Sequence, residues 1–379
     1  MRFTEAYEGW TQKRLSQGEA AELLGICSRS FRRYVERYKE SGEEGLADKR
    51  LSQASHRCAP VDEVMRLTDH YRGSHRGWNV KHYYSHYKSG GGLRSYSWVK
   101  SRLQSADLVP KVVGKGKHRK RRESSAFAGM MIHQDASTHE WVPGKKWDLI
   151  VTMDDATNEH YSMFFVEQEG TASSMRGVRE VIEQRGLFCS FYSDRGSHYW
   201  HTPEAGGKVD KVNLTQFGRA LKQLGIGQIA AYSPEARGRS ERAFRTHQGR
   251  LPQELALAGI TDIEEANHYL TSTYKAKNNE EFSHAAREEG SAFVSHVGQA
   301  LNEILCEQYE RMVSKDNCVS FEGLTLQIPS DRNRMHYMRV KVRVNRHLDG
   351  SMSIFHGPRR LGIYESDGQI CVIRGGTAA

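Results

Sequence analysis

Three carboxylates of this chain stand where they could act together. Asp135 lies on an apolar run, Asp194 ends another, and Glu241 falls in the first turn of a helical segment. Three acids converging on one sheet edge can hold two Mg²⁺ ions roughly 3.5–4 Å apart, with Mn²⁺ as a substitute. Water and phosphate oxygens would fill the remaining positions. One ion lowers the pKa of an attacking water or 3′-hydroxyl and the other stabilises the leaving oxygen, so in-line attack on a phosphodiester needs no protein nucleophile. With 46 acids in the chain, choosing any three is easy; the weight lies in their places among strands and helices. Each has a plain alternative: a strand-edge residue for Asp135, a turn with Arg195-Gly196 for Asp194, and an i,i+4 ion pair with Arg245 for Glu241.

The elements that must position these acids follow a regular order. Met130–Asp135, Trp147–Asp155 and His160–Val166 read as three strands with short links, an antiparallel meander. Thr171–Arg185 is a helix with Met175, Val178, Val181 and Ile182 on one face. Leu187–Asp194 is a strand, and Asn213 caps a helix lined by Leu214, Phe217, Ala220, Leu221 and Leu224. Gln228–Tyr232 is a short strand, and Gly238–Leu251 a helix with Pro252 as its stop. Strand-strand-strand-helix-strand-helix-strand-helix is the order of the ribonuclease H-like fold. In that fold the places of Asp135, Asp194 and Glu241 converge. Asp154 and Asp155 read as turn formers, because Asp-Asp-Ala-Thr-Asn is turn chemistry.

Charge is unevenly spread along the 379 residues, which carry 55 Lys and Arg against 46 Asp and Glu. Residues 1–123 hold 26 Lys and Arg and 14 Asp and Glu, so the positive excess lies in the first third. A basic front end on a nearly neutral body suggests a nucleic-acid grip joined to something else. Phe3, Tyr7 and Trp10 have helical spacing. Ala20, Ala21, Leu23 and Leu24 give the next helix a core face, and Gly25 can end it in the left-handed region. Ser28 then caps a helix to Tyr38 that places Phe31, Tyr34, Val35 and Tyr38 inward and Arg29, Ser30, Arg32, Arg33 and Arg37 outward, as a recognition helix in the major groove would need. A second three-helix unit is expected over Val61–Tyr71, Val80–Tyr87 and Ser95–Leu103, with Trp98, Val99 and Leu103 inward and Lys100 and Arg102 outward. A helical spacer explains that second unit almost as well. Lys117, Arg119, Lys120, Arg121 and Arg122 form a basic linker that could track phosphates or simply act as a tether.

The last quarter alternates. Val319–Ile328, Met338–Val344, Met352–Phe355, Leu361–Tyr364 and Ile370–Ile373 read as five strands, with Asp349-Gly350 and Asp367-Gly368 as turns. A small SH3-like barrel is expected, with Arg339, Lys341 and Arg343 on one strand face. The six cysteines are scattered without a CxxC pair, which favours reduced thiols in a cytosolic protein over a disulfide framework or a Cys-based zinc site. No run approaches the ~18 apolar residues of a membrane span, and Met1-Arg2-Phe3-Thr4-Glu5-Ala6 does not read as a signal peptide.

Several stretches carry a resemblance. Tyr192-Ser193-Asp194-Arg195-Gly196-Ser197-His198-Tyr199, Glu204-Ala205-Gly206-Gly207-Lys208 and Ala231-Tyr232-Ser233-Pro234-Glu235-Ala236-Arg237-Gly238-Arg239-Ser240-Glu241-Arg242 resemble insertion-sequence transposases of the DDE, retroviral-integrase-like class, closest to the ISNCY-type group. Trp98–Leu103, Leu326–Pro329 and Phe355–Leu361 resemble further segments of that group, so the likeness spans most of the chain. Arg195 departs from the pattern, since many relatives carry Asn after the second acid. The resemblance implies Asp135, Asp194 and Glu241 as catalytic and metal-binding acids. It also implies double-stranded DNA as partner, both terminal inverted repeats and target, and a homo-oligomer of at least two copies. Arg237 and Arg245, flanking Glu241, and the C-terminal Arg339, Lys341 and Arg343 join the expected DNA contacts.

The expected architecture is multidomain. Helix-turn-helix units occupy 1–55 and 56–110, a basic linker 111–126, an α/β ribonuclease H-like catalytic domain 127–285, a connector 286–318 and an all-β barrel 319–379. Two rivals stay open: a sequence-specific DNA-binding regulator with an inert catalytic domain, and a ribonuclease H-like nuclease without strand transfer.

Overall fold

The structure is a computed structural model and describes residues 2–48, 59–111, 123–204, 207–232, 238–298, 300–330 and 334–371. The chain divides into two compact units, one of residues 1–76 with 92–111 and the other of 77–91 with 112–379. No helix among the described residues is long and apolar enough to cross a membrane.

The first unit is helical. It contains α1 (Phe3–Thr11), α2 (Gln17–Leu23), α3 (Ser28–Ser41) and α4 (Val61–Ser74). Ser16 opens α2 with a capping box: its hydroxyl accepts from the Glu19 amide at 3.3 Å, and the Glu19 carboxylate accepts from the Ser16 amide at 2.7 Å. Gly25, at φ 66°, turns the chain towards α3. Ala6, Ala20, Ala21, Phe31 and Val35 are buried together, with Phe3, Tyr7 and Trp10 packed on them. Leu23 differs from expectation and is 47% exposed, because Ala20, Ala21 and Leu24 take the inner face. Cys27, not Ser28, occupies the cap of α3.

The helix α5 (Val80–Ser89) belongs to the second unit, whereas α6 (Tyr96–Ser105) returns to the first and packs on α4. Val80, His82 and Tyr83 of α5 are buried, and His82 bonds to a residue of the second unit, which is why α5 does not group with its sequence neighbours.

The second unit is built on a five-stranded mixed sheet of order β3-β2-β1-β4-β5. Its elements are β1 (Met131–Val142), β2 (Lys145–Asp154), β3 (His160–Val166), α7 (Thr171–Arg185), β4 (Ser190–Ser193), α8 (Gln216–Gln223), β5 (Gly227–Ala230) and α9 (Gly238–Gln248). β1 to β3 form the antiparallel meander, while β4 runs parallel to β1 and β5 parallel to β4. This is the order and direction expected of the ribonuclease H-like fold. Met175, Val178 and Val181 of α7 and Phe217 and Leu221 of α8 share one core with Ile132 and Phe191. The opposite face carries Leu149, Val151, Met153, Met163 and Phe165. These pack against Phe244 of α9 and against α10 (Leu251–Leu257), α11 (Ile263–Tyr269) and the π-helical Leu270–Tyr274 that leads into α12 (Lys275–Phe282). Alternation along β2 delivers its odd-numbered residues to this second core.

Two local expectations fail for clear reasons. Thr215, not Asn213, caps α8, accepting from the Gly218 amide, while Asn213 donates to Asp210 at 2.7 Å. Pro252 begins α10 instead of merely stopping α9. A proline in the first helical turn loses no hydrogen bond, because that N–H has no intrahelical partner.

Gly177 of α7 faces the sheet so closely that a Cβ there would meet Gln134 Nε2 at 2.1 Å and Thr152 Oγ1 at 2.7 Å. Gln134 donates to Thr152 Oγ1 and accepts from the Tyr199 hydroxyl, so it has no room to yield. Gly177→Ala is therefore expected to destabilise by roughly 1–3 kcal/mol through overpacking. Gly73→Ala on α4, with open space around it, should not destabilise at all. Thermal unfolding of the two variants side by side checks this.

After α13 (Leu301–Ile304) come β6 (Glu307–Met312), β7 (Cys318–Phe321), β8 (Leu324–Gln327), β9 (Lys341–Arg346), β10 (Met352–His356) and β11 (Arg359–Tyr364). Among the described residues the expected barrel is not closed: a four-stranded sheet, β11-β10-β9-β6, accompanies a separate β7-β8 hairpin. Val319, Phe321 and Leu326 of the hairpin and Val342, Val344 and Ile354 of the sheet share one core. The expected single strand Val319–Ile328 is this hairpin. It folds at Glu322-Gly323, where both residues have positive φ (50° and 80°), the type I′ geometry. β6 lies where a connector was expected. Beyond β11, Ile370 makes only an isolated bridge to Tyr364, and residues past 371 lie outside the described ones.

Candidate active site

Asp135 and Asp194 are brought together by strand register. The parallel pairing of β1 with β4 sets Met131 beside Ser190, Ile132 beside Phe191 and His133 beside Tyr192. Asp135 lies two residues beyond His133 and Asp194 two beyond Tyr192, just past the end of β4, so the two acids leave the last recorded pair in step. Both are half-buried. Asp194 Oδ1 accepts from the Gly196 amide at 2.8 Å, which fixes the turn that leaves the strand. Tyr199 is buried behind them, and its hydroxyl donates to Gln134 Oε1 at 2.9 Å. Burial, then the negative charges of Glu169, Asp135 and Asp194, push the Tyr199 phenol well above its ordinary range. That phenol thus senses both acids.

Glu241 is exposed in the first turn of α9. Two contacts seat this helix against β1: Phe244 is buried in the second core beside Trp141, and Gln248 Nε2 donates to Ser137 Oγ at 2.9 Å. The start of α9 is tied down by Arg239, whose guanidinium donates to the Asp155 carboxylate and main-chain oxygen. Asp155 also accepts from His133 Nε2 at 2.8 Å and from the Ser125 amide and hydroxyl, each at 2.8 Å. Burial pushes the Asp155 carboxyl up, but the His133 hydrogen bond and charge, the Ser125 amide and Arg239 outweigh it and hold the group well below the usual carboxylate range.

Sequence reasoning missed this role by treating Asp154 and Asp155 alike. Asp154 is the turn former, its Oδ1 accepting from the Ala156 and Thr157 amides. Asp155 is an ion-pair anchor between the strands and α9.

Among the described residues, Asp135, Asp194 and Glu241 do not gather their ligand atoms within 4.8 Å of one another; His82, His86 and Glu254 do.

The expected DNA contacts fall in different settings. Arg29, Arg32, Arg33 and Arg37 are exposed along α3, while Ser30 is half-buried with its hydroxyl 3.3 Å from Cys27 Sγ. Lys100 and Arg102 are exposed on α6, where Arg94 and Arg102 lie over the Trp98 ring at 5.2 and 5.9 Å; Trp98 is only half-buried. Arg245 is exposed one turn beyond Glu241. Lys117, Arg119, Lys120, Arg121, Arg122 and Arg237 lie outside the described residues, as do Ser233, Pro234, Glu235 and Ala236 of the motif before α9. Arg339 does not share a strand face with Lys341 and Arg343: it sits in a turn at φ 58°, its amide bonded to the Val313 carbonyl. Lys341 pairs with Glu310 at 3.5 Å, and Arg343 lies over the Phe355 ring at 5.0 Å. Beside the second acid, Arg195 donates to the Gly207 carbonyl at 2.9 Å and lies over Tyr232.

Comparison with known proteins bears on the whole chain. Residues 9–52, from the end of α1 through α3, match the family described as a helix-turn-helix domain. The chain is 25% identical over 350 residues to the Sinorhizobium fredii protein named "Putative transposase y4bF", covering 90% of this chain and 75% of that one. It is 29% identical over 233 residues to the Streptococcus pneumoniae protein named "Transposase for insertion sequence IS1202", covering 61% of this chain and half of that one. Solved structures that overlay on it include a simian T-cell lymphotropic virus intasome (12% identity, TM-score 0.35, 72% of this chain and 91% of that one). The magnesium complex of the HTLV-2 integrase catalytic core is another (13% identity, TM-score 0.31, 42% of this chain and 98% of that one). These overlays are too loose to assign a fold, which rests on the strand order and register described above. By sequence, the chain is a relative of proteins named as transposases, one of them for an insertion sequence, and carries a helix-turn-helix domain over residues 9–52.

Proposed function

We propose that this protein is a DNA transposase. It binds the terminal inverted repeats of an insertion sequence through its first unit, and its second unit cleaves the 3′ ends and joins them to target DNA. The observation that carries this reading is the parallel register of β1 with β4, which brings Asp194, just past the end of β4, towards Asp135 within β1, with Glu241 on the helix seated against the same β1. Two like charges on neighbouring strands repel unless a cation lies between them. Asp135, Asp194 and Glu241 would hold two Mg²⁺ ions, with Mn²⁺ as substitute, which when bound activate the attacking water or 3′-hydroxyl and stabilise the leaving oxygen.

The rest falls to the chain's own residues. The exposed arginines of α3 face outward as a groove-reading helix requires, and neutralised phosphates would make binding strongly salt-dependent. Arg245, exposed on α9 one turn from Glu241, would hold a phosphate near the reacting bond. The Arg239–Asp155 pair fixes the start of α9 and so the position of Glu241 relative to the strands. Two ends must be processed together, so the working form is a homo-oligomer of at least two copies on DNA.

Labelled duplexes carrying the element's terminal repeats, incubated with a target plasmid and Mg²⁺, test the proposal. Labelled ends covalently joined to the plasmid are the expected result. Nicked ends without joining would indicate a nuclease, and end binding with no reaction in either Mg²⁺ or Mn²⁺ would indicate a DNA-binding regulator.

A further inference from the structure

In chain order α5 is flanked on both sides by residues of the first unit, yet it is part of the second. It carries His82 and His86, four residues apart and so on one helical face. Both Nε2 atoms meet the same carboxylate oxygen of Glu254 on α10, at 2.6 and 2.7 Å. The other oxygen of Glu254 accepts from the Tyr269 hydroxyl at 2.8 Å, which fixes the plane of the carboxylate. Trp78 lies flat on the His82 ring at 4.2 Å and edge-on to His86 at 4.9 Å, which fixes the planes of both imidazoles. Two rings and one carboxylate, each held in orientation by a neighbour, thus bring three donor atoms within 4.8 Å of one another. His82 and Glu254 are nearly excluded from water, while His86 is a quarter exposed and gives an ion a way in.

We propose that His82, His86 and Glu254 form a transition-metal site of the Zn²⁺ class, with water as fourth ligand, that fastens α5 to α10. Two imidazole nitrogens and a carboxylate oxygen make a borderline donor set that selects Zn²⁺, Co²⁺ or Ni²⁺ over Mg²⁺, whereas Asp135, Asp194 and Glu241 offer oxygen alone. Ligation through Nε2 needs both ring protons on Nδ1 and Glu254 as a carboxylate, so an ion would replace the hydrogen bonds that now join the three groups. Ligands about 2.0–2.1 Å from a tetrahedral ion sit about 3.3 Å apart, so the two histidine–carboxylate contacts need open by only about 0.6–0.7 Å to admit one.

The test uses the full chain, stripped with a chelator and titrated with Co²⁺ in excess Mg²⁺, with the visible absorption of tetrahedral Co²⁺ as readout. One equivalent should bind and be displaced by Zn²⁺. His86→Ala and Glu254→Gln should each weaken binding at least about 10-fold, since even partners beyond the ligand shell are worth that much. Asp135→Asn should leave the Co²⁺ signal intact, which separates this site from the acids at the sheet edge. His86 is partly exposed, so its alanine variant should keep wild-type circular dichroism. Folded wild-type protein that takes up no Co²⁺ or Zn²⁺, or uptake unchanged in both His86→Ala and Glu254→Gln, would overturn the proposal.

Discussion

Asp135→Asn is expected to lower end cleavage and joining at least about a thousandfold, about 4 kcal/mol of barrier, while leaving binding of the end duplex at wild-type strength. Asparagine keeps the size and strand preference of the residue and removes only the charge. β1 should therefore keep its pairing with β2 and β4, and α9 its seat on β1. The exposed arginines of α3 belong to the other unit and are untouched. Stability supplies a second readout. Because Asp135 sits beside Asp194, removing one charge relieves repulsion, so the variant should melt no lower than wild type. A structural role for Asp135 would give the opposite pattern, a lowered melting temperature with cleavage within about tenfold of wild type once the folded fraction is corrected for. Gel-resolved cleavage, filter binding and thermal melts on one preparation distinguish the two.

The places where sequence and structure agree share a cause. Continuous apolar runs such as Leu149–Met153, and helices with a full apolar face such as Thr171–Arg185, are legible because the local pattern alone fixes the element type. The strand order followed from them, and with it the neighbourhood of Asp135 and Asp194. What escaped depends on partners distant in sequence. Asp155 has the local chemistry of a turn residue, and only Arg239 and His133 make it an anchor. β6 is largely polar and charged and is a strand because it pairs with β9. A basic face seemed to run from Arg339 to Arg343, but the positive φ of Arg339 takes it out of the strand. His82 and His86 did leave a local signal, two histidines at i and i+4 on a helix. Glu254, far along the chain, is what gives that spacing chemical meaning.

Asp155→Asn is the second large effect, and it acts through position rather than contact with DNA. The Asp155 side chain is 2% exposed and the Arg239 side chain 18% exposed, so the pair is largely removed from water. Breaking a buried pair by removing one partner costs about 3–5 kcal/mol, because the remaining charge stays desolvated without compensation. Arg239 lies two residues before Glu241 in the same first turn of α9. Once released, that turn would hold Glu241 less firmly against the strands. Cleavage should then fall further than the folded fraction does, and the Mg²⁺ concentration for half-maximal rate should rise. Asp154→Asn supplies the contrast. Its remaining oxygen can still accept from the Ala156 and Thr157 amides, but an NH2 replaces the oxygen that accepts from the Gly129 amide, so it should cost stability while leaving the Mg²⁺ requirement of the folded protein unchanged. The pH dependence has a definite sign. The Asp155 carboxyl is held below its unfolded value, so its contribution is present in full above roughly pH 4 and is lost as pH falls towards the folded value. Wild-type protein should therefore lose more stability between about pH 5 and pH 3 than Asp155→Asn does. Equal acid losses in the two proteins, or an unchanged Mg²⁺ requirement in Asp155→Asn, would show that the pair does not position Glu241.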